Sequence, residues 1–277
     1  MYGDFRDRTA ILLGDPGMKT LEAASVAVYG LGGVGAACAM DLARVGVGRL
    51  YVVDFDRVEE SNLNRLYFGY KENVGLAKTE AFARLARSVN PFIKIEERRI
   101  FFSGNDAAKI IDTESAYHAD CVDSLNAKAN LVAALCAGGQ SFISSMGTAG
   151  RLEPEGLKLG DIWESKGCPL AKSLRTRLKH MGVTAHFPVV WSDEPPVKPV
   201  QRNASKGDLD ARGDDTGAAS AKRGGEESGY GEEPAARPRG RPRLVQGSGP
   251  FVPQAAGHIM AARSEERRVG KECRSRW

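Results

Sequence analysis

The sequence predicts an α/β fold, a mainly parallel sheet with helices on both faces, followed by a less regular C-terminal portion. Three observations predict it. Between residues 25 and 145, short apolar runs alternate with longer stretches of helical spacing. Those runs are apolar throughout rather than at every second residue, as strands buried on both faces are. The first run ends in a glycine cluster, Gly30-Leu31-Gly32-Gly33-Val34-Gly35, which opens the next helical stretch.

The elements follow in order. Val26-Ala27-Val28-Tyr29 reads as a buried strand, and Gly33 to Val45, small and apolar, as a helix closed by Gly46. Leu50-Tyr51-Val52-Val53 is a second strand. Lys78 to Val89 is an amphipathic helix with Ala81, Leu85 and Val89 on one face and Asn90-Pro91 as its stop. Phe92 to Ile100 reads as a third strand. Asp120-Cys121-Val122-Asp123 and Phe142-Ile143-Ser144-Ser145 read as a fourth and fifth, with a helix from Ala127 to Cys136 between them. Beyond Gly147 the pattern weakens. A helix is expected over Pro169–Met181, with proline in its first turn, and a strand over Phe187–Trp191. A small-residue helix is expected over Ala255–Ala262.

The 277 residues allow one large domain or two small ones, and 42% hydrophobic with 27% charged residues is enough for a core. No run approaches 18 apolar residues, and the first eight residues contain no apolar signal region. No membrane span and a cytoplasmic location are therefore expected. The five cysteines show no paired spacing, which argues against a disulfide scaffold and a Cys-x-x-Cys zinc site. The four histidines share no spacing, and none is assigned to a metal or to catalysis. Of the net charge of +4, residues 263–277 supply +3, with six Lys/Arg against three Glu, and the remainder is nearly neutral. Composition thus gives no basis for nucleic-acid binding, which would need a local patch.

The organisation expected is a domain over residues 1–199, an insertion over 200–248, a short return to the domain over 249–262, and a tail over 263–277. Between Gln201 and Arg243 the only large apolar residues are Leu209 and Tyr230, too few to order the segment. The tail breaks an apolar helical pattern and resembles the in-frame translation of a sequencing adaptor, a non-native end that truncates the last helix. A natural basic tail is the alternative.

The chemistry starts at the glycine cluster, which fits G-x-G-x-x-G after a strand and before a helix. Glycines there let backbone approach phosphates, and the helix N-terminus offers free N–H groups. The structural alternative is a tight turn. Asp54, 19 residues after Gly35 at the end of the next strand, is placed to accept from ribose hydroxyls. A dehydrogenase keeps the region after this carboxylate apolar. Here it continues through Asp56 to Ser61-Asn62-Leu63-Asn64-Arg65, and Lys78 opens the following helix. A guanidinium and an ammonium beside the nucleotide suit a triphosphate that loses pyrophosphate. Taken singly, each reads as a solvated surface charge.

Gly30–Gly35, the Asp54/Asp56 pair, Ser61–Arg65, Gly75-x-x-Lys78 and Asp123 resemble the adenylation domain of the ThiF/MoeB and ubiquitin-activating-enzyme superfamily. Its Rossmann-like domains attach AMP to a carboxylate. The resemblance implies ATP and Mg2+ as cofactors, and a role for each matching position. Gly30, Gly32, Gly33 and Gly35 would line the nucleotide, and Asp54, with Asp56 beside it, would hold the ribose. Ser61, Asn62, Asn64 and Arg65 would face the phosphates, and Lys78 the leaving pyrophosphate. Asp123, at the end of a strand, would hold magnesium. Arg8 matches an arginine that reaches a neighbouring subunit's ATP, which implies a homodimer.

The second half narrows the resemblance. Ile143–Gly147, Leu152-Glu153-Pro154, Cys168-Pro169-Leu170-Ala171, Val189–Pro195 and Phe251–Gly257 are similar to the tRNA threonylcarbamoyladenosine dehydratase branch, over about Arg8–Pro199 and Gly249–Ala262. The implied reaction is ATP-dependent dehydration of threonylcarbamoyladenosine in the tRNA anticodon loop, through an acyl adenylate. The C-terminal portion would complete the substrate side. For tRNA contact the best local feature is Lys172, Arg175 and Lys179, which share a helix face, although a solvated basic face is the default reading. Two further readings stay open. One is an adenylyltransferase activating the C-terminus of a sulfur-carrier protein, with a sulfur-transfer protein as partner and Cys168 as nucleophile. Against it, Cys168 also reads as a small residue capping the Pro169 helix, and no zinc pairs are present. The other is an NAD-dependent oxidoreductase or nucleotide-binding regulator.

Overall fold

The computed structural model of the chain describes residues 4–102, 104–197 and 247–269. Nearly all of the expected insertion, and residues 270–277 of the expected tail, lie outside the described residues. The sheet has seven strands: β1 (Ser25–Tyr29), β2 (Arg49–Val53), β3 (Lys94–Arg98), β4 (Tyr117–Asp120), β5 (Phe142–Ser145), β6 (Leu157–Asp161) and β7 (Pro188–Ser192). Their order is β3-β2-β1-β4-β5-β7-β6, with every pair parallel except β6–β7. The helices are α1 (Asp7–Ala23), α2 (Gly33–Val45), α3 (Lys78–Val89), α4 (Leu125–Ala137), α5 (Pro169–His180) and α6 (Phe251–Val269).

Both faces of the sheet are covered, and β1 shows how. Val26 and Val28 pack into one apolar cluster with residues of α2, α3 and α6, while Ala27 and Tyr29 pack into a second with α4 and α5. All four are essentially inaccessible. Successive strand residues point to opposite faces, so a strand between two helical layers must be apolar at every position.

The topology also fixes where ligands can go. Tyr29 pairs with Val53 of β2 and with Asp120 of β4, so these three strands end level. The chain leaves them as Gly30, Asp54 and Cys121, side by side at one edge. The strand order reverses between β1 and β4, and the crevice at such a point is where parallel α/β sheets bind ligands.

β1, β2, β5, α2 and α3 fall on the expected residues to within one position. Four differences have local causes. β4 is Tyr117–Asp120, not Asp120–Asp123, because Asp120 turns the chain: its Oδ1 accepts from the Val122 N–H at 3.1 Å. Asp123 therefore stands in the loop before α4, not at a strand end. β3 is shorter than Phe92–Ile100, since the Asn90 side chain caps a turn through the Phe92 N–H and leaves Phe92 74% exposed. α1 was not expected, because Gly14 and Pro16 interrupt its pattern; the helix kinks at Gly14, with φ +66. β6 was also not expected. It is an antiparallel edge strand, mostly accessible, so it lacks the apolar run that marks the others.

α6 begins at Phe251, four residues before the expected start, and continues past Ala262 to Val269. Ser264 is buried, and its hydroxyl donates to the Met260 carbonyl at 2.8 Å. The backbone does not break where the composition changes, because Arg and Glu are good helix formers.

Candidate active site

The glycine turn after β1 is shaped by close approaches. Gly30 has φ +87, and a Cβ there would stand 3.0 Å from the Cys121 carbonyl oxygen. A Cβ on Gly35 would lie 1.8 Å from the Gly30 carbonyl oxygen, so only glycine lets α2 start directly against the turn. At Gly32, by contrast, a Cβ would meet nothing within 4 Å. No side chain caps α2 at Gly32. An uncapped helix start carries N–H groups without intrahelical partners at the positive end of the helix dipole, an arrangement that receives phosphate.

Asp54 is buried beside this turn. Its Oδ2 accepts from the Leu31 N–H at 2.6 Å and its Oδ1 from the Asp56 N–H at 2.8 Å. Burial pushes its carboxyl above the usual range, with the Lys78 charge and the two N–H donors working against the rise. Lys78 reaches this point through a short antiparallel ribbon. The Val58 N–H donates to Leu76, the Gly75 N–H to Val58, and the Lys78 N–H to Asp56. Gly75 turns the ribbon at φ +90. Lys78 is 7% exposed, and its ammonium donates to Asp56 Oδ2 at 3.0 Å.

The 61–65 segment approaches the turn at Gly33. Glu59 and Asn62 form a reciprocal capping box around the short helix Glu60–Asn62, and the Asn62 amide also donates to Ser61 Oγ at 3.2 Å. Asn62 is thus engaged with its own backbone. Ser61 donates to Glu59 and Asn64 to the Ser248 carbonyl. The Arg65 guanidinium donates to the Ser61 carbonyl at 2.8 Å and to Asn64 Oδ1 at 3.0 Å, and no carboxylate among the described residues pairs with it. Its Cδ lies 3.5 Å from where a Cβ on Gly33 would sit, and Pro253 of α6 lies 2.9 Å from the same point. The structure therefore brings the glycine turn, Asp54, Asp56, Arg65 and Lys78 to one end of the sheet. Asp123 is exposed on the loop that passes beneath Gly30.

The remaining residues are dispersed. Arg8 is exposed on α1. Lys172 and Lys179 are exposed on α5, with the Lys179 ammonium 5.7 Å from the Trp163 ring centre. Arg175 turns inward instead, donating to the Ser165 carbonyl at 2.8 Å. Cys168 stands at the N-cap position of α5 without a side-chain cap bond and is buried.

One polar cluster was not expected from the sequence. Lys128 of α4 is fully buried, its ammonium 2.6 Å from Asp120 Oδ2, and the Ser144 hydroxyl donates to the same oxygen at 2.6 Å. This ties β4, α4 and β5 together under the loop that carries Asp123. The available signal was a lysine on the otherwise apolar face of Ala127–Leu135.

The model of the ThiF family matches residues 6–153. The chain belongs to the ThiF family. Within that family it is 32% identical over 190 residues to a tRNA threonylcarbamoyladenosine dehydratase of Bacillus subtilis, covering 69% of this chain and 75% of that protein. It is 33% identical over 171 residues to the enzyme of the same name in Escherichia coli, covering 62% and 64%. The fold of this ThiF-family chain is similar to the crystal structure of the Escherichia coli enzyme, TcdA, in complex with ATP. The TM-score is 0.77 at 25% identity, covering 97% of this chain and 95% of that one.

Proposed function

We propose that the chain is an ATP-dependent tRNA threonylcarbamoyladenosine dehydratase. The observation that carries this reading is the near full-length similarity to the Escherichia coli enzyme in complex with ATP. The uncapped N-terminus of α2 after the glycine turn and the two cations at the same end of the sheet agree with it.

The substrate's threonyl side chain ends in a carboxylate, whose oxygen is a poor leaving group. Attack of that oxygen on the α-phosphorus of ATP forms an acyl adenylate and releases pyrophosphate. The carbamoyl group of the same side chain then attacks the acyl carbon, and AMP leaves with the former carboxylate oxygen. The second step is intramolecular, so holding the side chain folded replaces a protein nucleophile. The buried position of Cys168 agrees with such a scheme.

The protein's part is positioning and charge neutralisation. Asp54 receives the ribose, its carboxylate oriented by the Leu31 and Asp56 N–H groups. The N-terminus of α2 receives the phosphates. Arg65, with no carboxylate partner among the described residues, and Lys78, set against Asp56, neutralise the leaving pyrophosphate. Magnesium commonly needs only one or two carboxylates besides phosphates and water, so the accessible Asp123 suits it. Bound there, the ion would add charge neutralisation at the phosphates. Arg8 reaches a second copy's nucleotide in a homodimer, and Ile11 and Leu12 of the same helix, 76% and 78% exposed, are apolar surface that a second copy would cover. Lys172 and Lys179 face tRNA phosphates.

The test offers threonylcarbamoylated tRNA, unmodified tRNA and a sulfur-carrier protein in parallel with ATP. Pyrophosphate release with the modified tRNA alone, and loss of one water from its nucleoside by mass spectrometry, is expected. Activation of the carrier protein instead would overturn the proposal.

A further inference from the structure

We infer that His258 is a positioning residue for Arg65, acting with Asp41 and Tyr67 as a polar strut from α2 through α6 to the phosphate-side segment. The inference rests on the ATP-binding role proposed above for Arg65.

The segment that presents Arg65 has little regular structure of its own: one 3-10 turn at Glu60–Asn62, then an irregular stretch to Tyr70. It is held from outside, by α6 and the residues leading into it. Asn64 Nδ2 donates to the Ser248 carbonyl at 2.7 Å, and Gln254 Nε2 to the Arg65 carbonyl at 3.4 Å. Pro253 and the Arg65 stem both lie against Gly33. The last point of attachment is Tyr67, whose hydroxyl lies 3.2 Å from His258 Nε2, the two rings meeting edge-on with centres 6.1 Å apart. The other ring nitrogen, Nδ1, is bonded to Asp41 Oδ2 on α2.

The chemistry fixes the direction of these bonds. An ionised Asp41 can only accept, so Nδ1 carries a hydrogen, and in the neutral ring Nε2 accepts from the Tyr67 hydroxyl. The imidazole is thus used at both ends, by Asp41 and by Tyr67. Its placement is also fixed. Gly257, the preceding residue, sits where α6 crosses α2 so closely that a Cβ would come within 2.4 Å of the Val34 carbonyl oxygen. His258 therefore stands at the rim of a rigid helix crossing. The same α2 begins at Gly33, against which the Arg65 stem lies. The strut references Arg65 to the helix whose N-terminus receives the phosphates.

His258 and Asp41 are partly exposed, so the pair adds little to global stability. Its consequence is geometric, and a misplacement of 1 Å at a reacting group can cost about a hundredfold. The test reads ATP affinity by calorimetry, with no tRNA present. His258→Leu and Tyr67→Phe should each weaken ATP binding about tenfold, no more than the loss of one charge-assisted contact to phosphate would, at an unchanged melting temperature. In an Arg65→Lys background the same changes should cost less than about twofold, because the group they position is gone. Equal losses in both backgrounds, or no loss in the first, would overturn the strut. If wild type binds ATP but releases no pyrophosphate with modified tRNA, the proposed reaction fails while the strut is still judged by affinity. If wild type binds no ATP, both fail.

Discussion

Replacing Lys78 by Met removes one positive charge while keeping the length of the side chain. Lys78 is 7% exposed, and its ammonium sits 3.0 Å from Asp56 Oδ2. Its charge also bears on the buried Asp54. Without it, two carboxylates stand beside the phosphate site with Arg65 as the remaining cation of the candidate set. A charge-assisted hydrogen bond to phosphate is worth about 1.5–3 kcal/mol. At about 1.36 kcal/mol per decade, kcat/KM for ATP should fall roughly 10- to 150-fold. Stability should change far less, because the Asp56 side chain is 31% exposed and solvent screens the pair to below about 1 kcal/mol. The assay is pyrophosphate release from threonylcarbamoylated tRNA across an ATP titration, with a melting curve of the same preparation. Unchanged kcat/KM would refute the reasoning. So would a loss matched by an equally large drop in stability, which would make Lys78 a structural residue.

Lys128→Met leaves the buried Asp120 without its counter-charge, which should cost about 3–5 kcal/mol, read as a melting temperature lower by roughly 6–20 °C for a domain of this size. Adding Asp120→Leu should recover much of it, and a melting temperature unmoved by the single change would contradict a buried ion pair. Burial works against the charge of Asp112, yet the Arg49 guanidinium and the Ser115 hydroxyl hold its carboxyl below the usual range. Its stabilisation is thus present above the unfolded value near pH 3.9 and is lost as pH falls through the lower folded value. Asp112→Asn should flatten the acid limb of the urea midpoint against pH, and an unchanged slope there would argue against the assignment. Replacing Lys172 and Lys179 together by Gln should reduce the slope of log affinity for tRNA against log salt by about 1.5, as two phosphate contacts would. An unchanged slope removes the α5 face from the tRNA surface.

The parts of the fold legible in the sequence were those fixed by local rules. β1, β2 and β5 are buried on both faces, so their apolar runs had one reading. α2 and α3 carry their own boundaries in Gly32, Gly46 and Asn90. β6 and α1 were not legible because their patterning is interrupted or faces solvent, and tertiary contacts decide them. Of the candidate site, the placement of Gly30–Gly35, Asp54 and Lys78 at one end of the sheet was legible, because backbone geometry and charge at fixed spacing admit few alternatives. Arg175 was assigned to the exposed basic face because its spacing matches Lys172 and Lys179. The Ser165 and Ile162 carbonyls that draw it inward are brought there by folding. The Asp120–Lys128–Ser144 cluster and the Asp41–His258–Tyr67 strut join residues up to 217 positions apart. A single histidine has no local pattern to report such a partner.

The most direct measurement follows an oxygen atom. Threonylcarbamoylated tRNA labelled with oxygen-18 in the threonyl carboxylate is turned over with unlabelled ATP, and the AMP is weighed by mass spectrometry. If the carboxylate attacks the α-phosphorus, each AMP formed carries one heavy oxygen. Unlabelled AMP, or label appearing in orthophosphate from ADP-forming turnover, would contradict the adenylation chemistry.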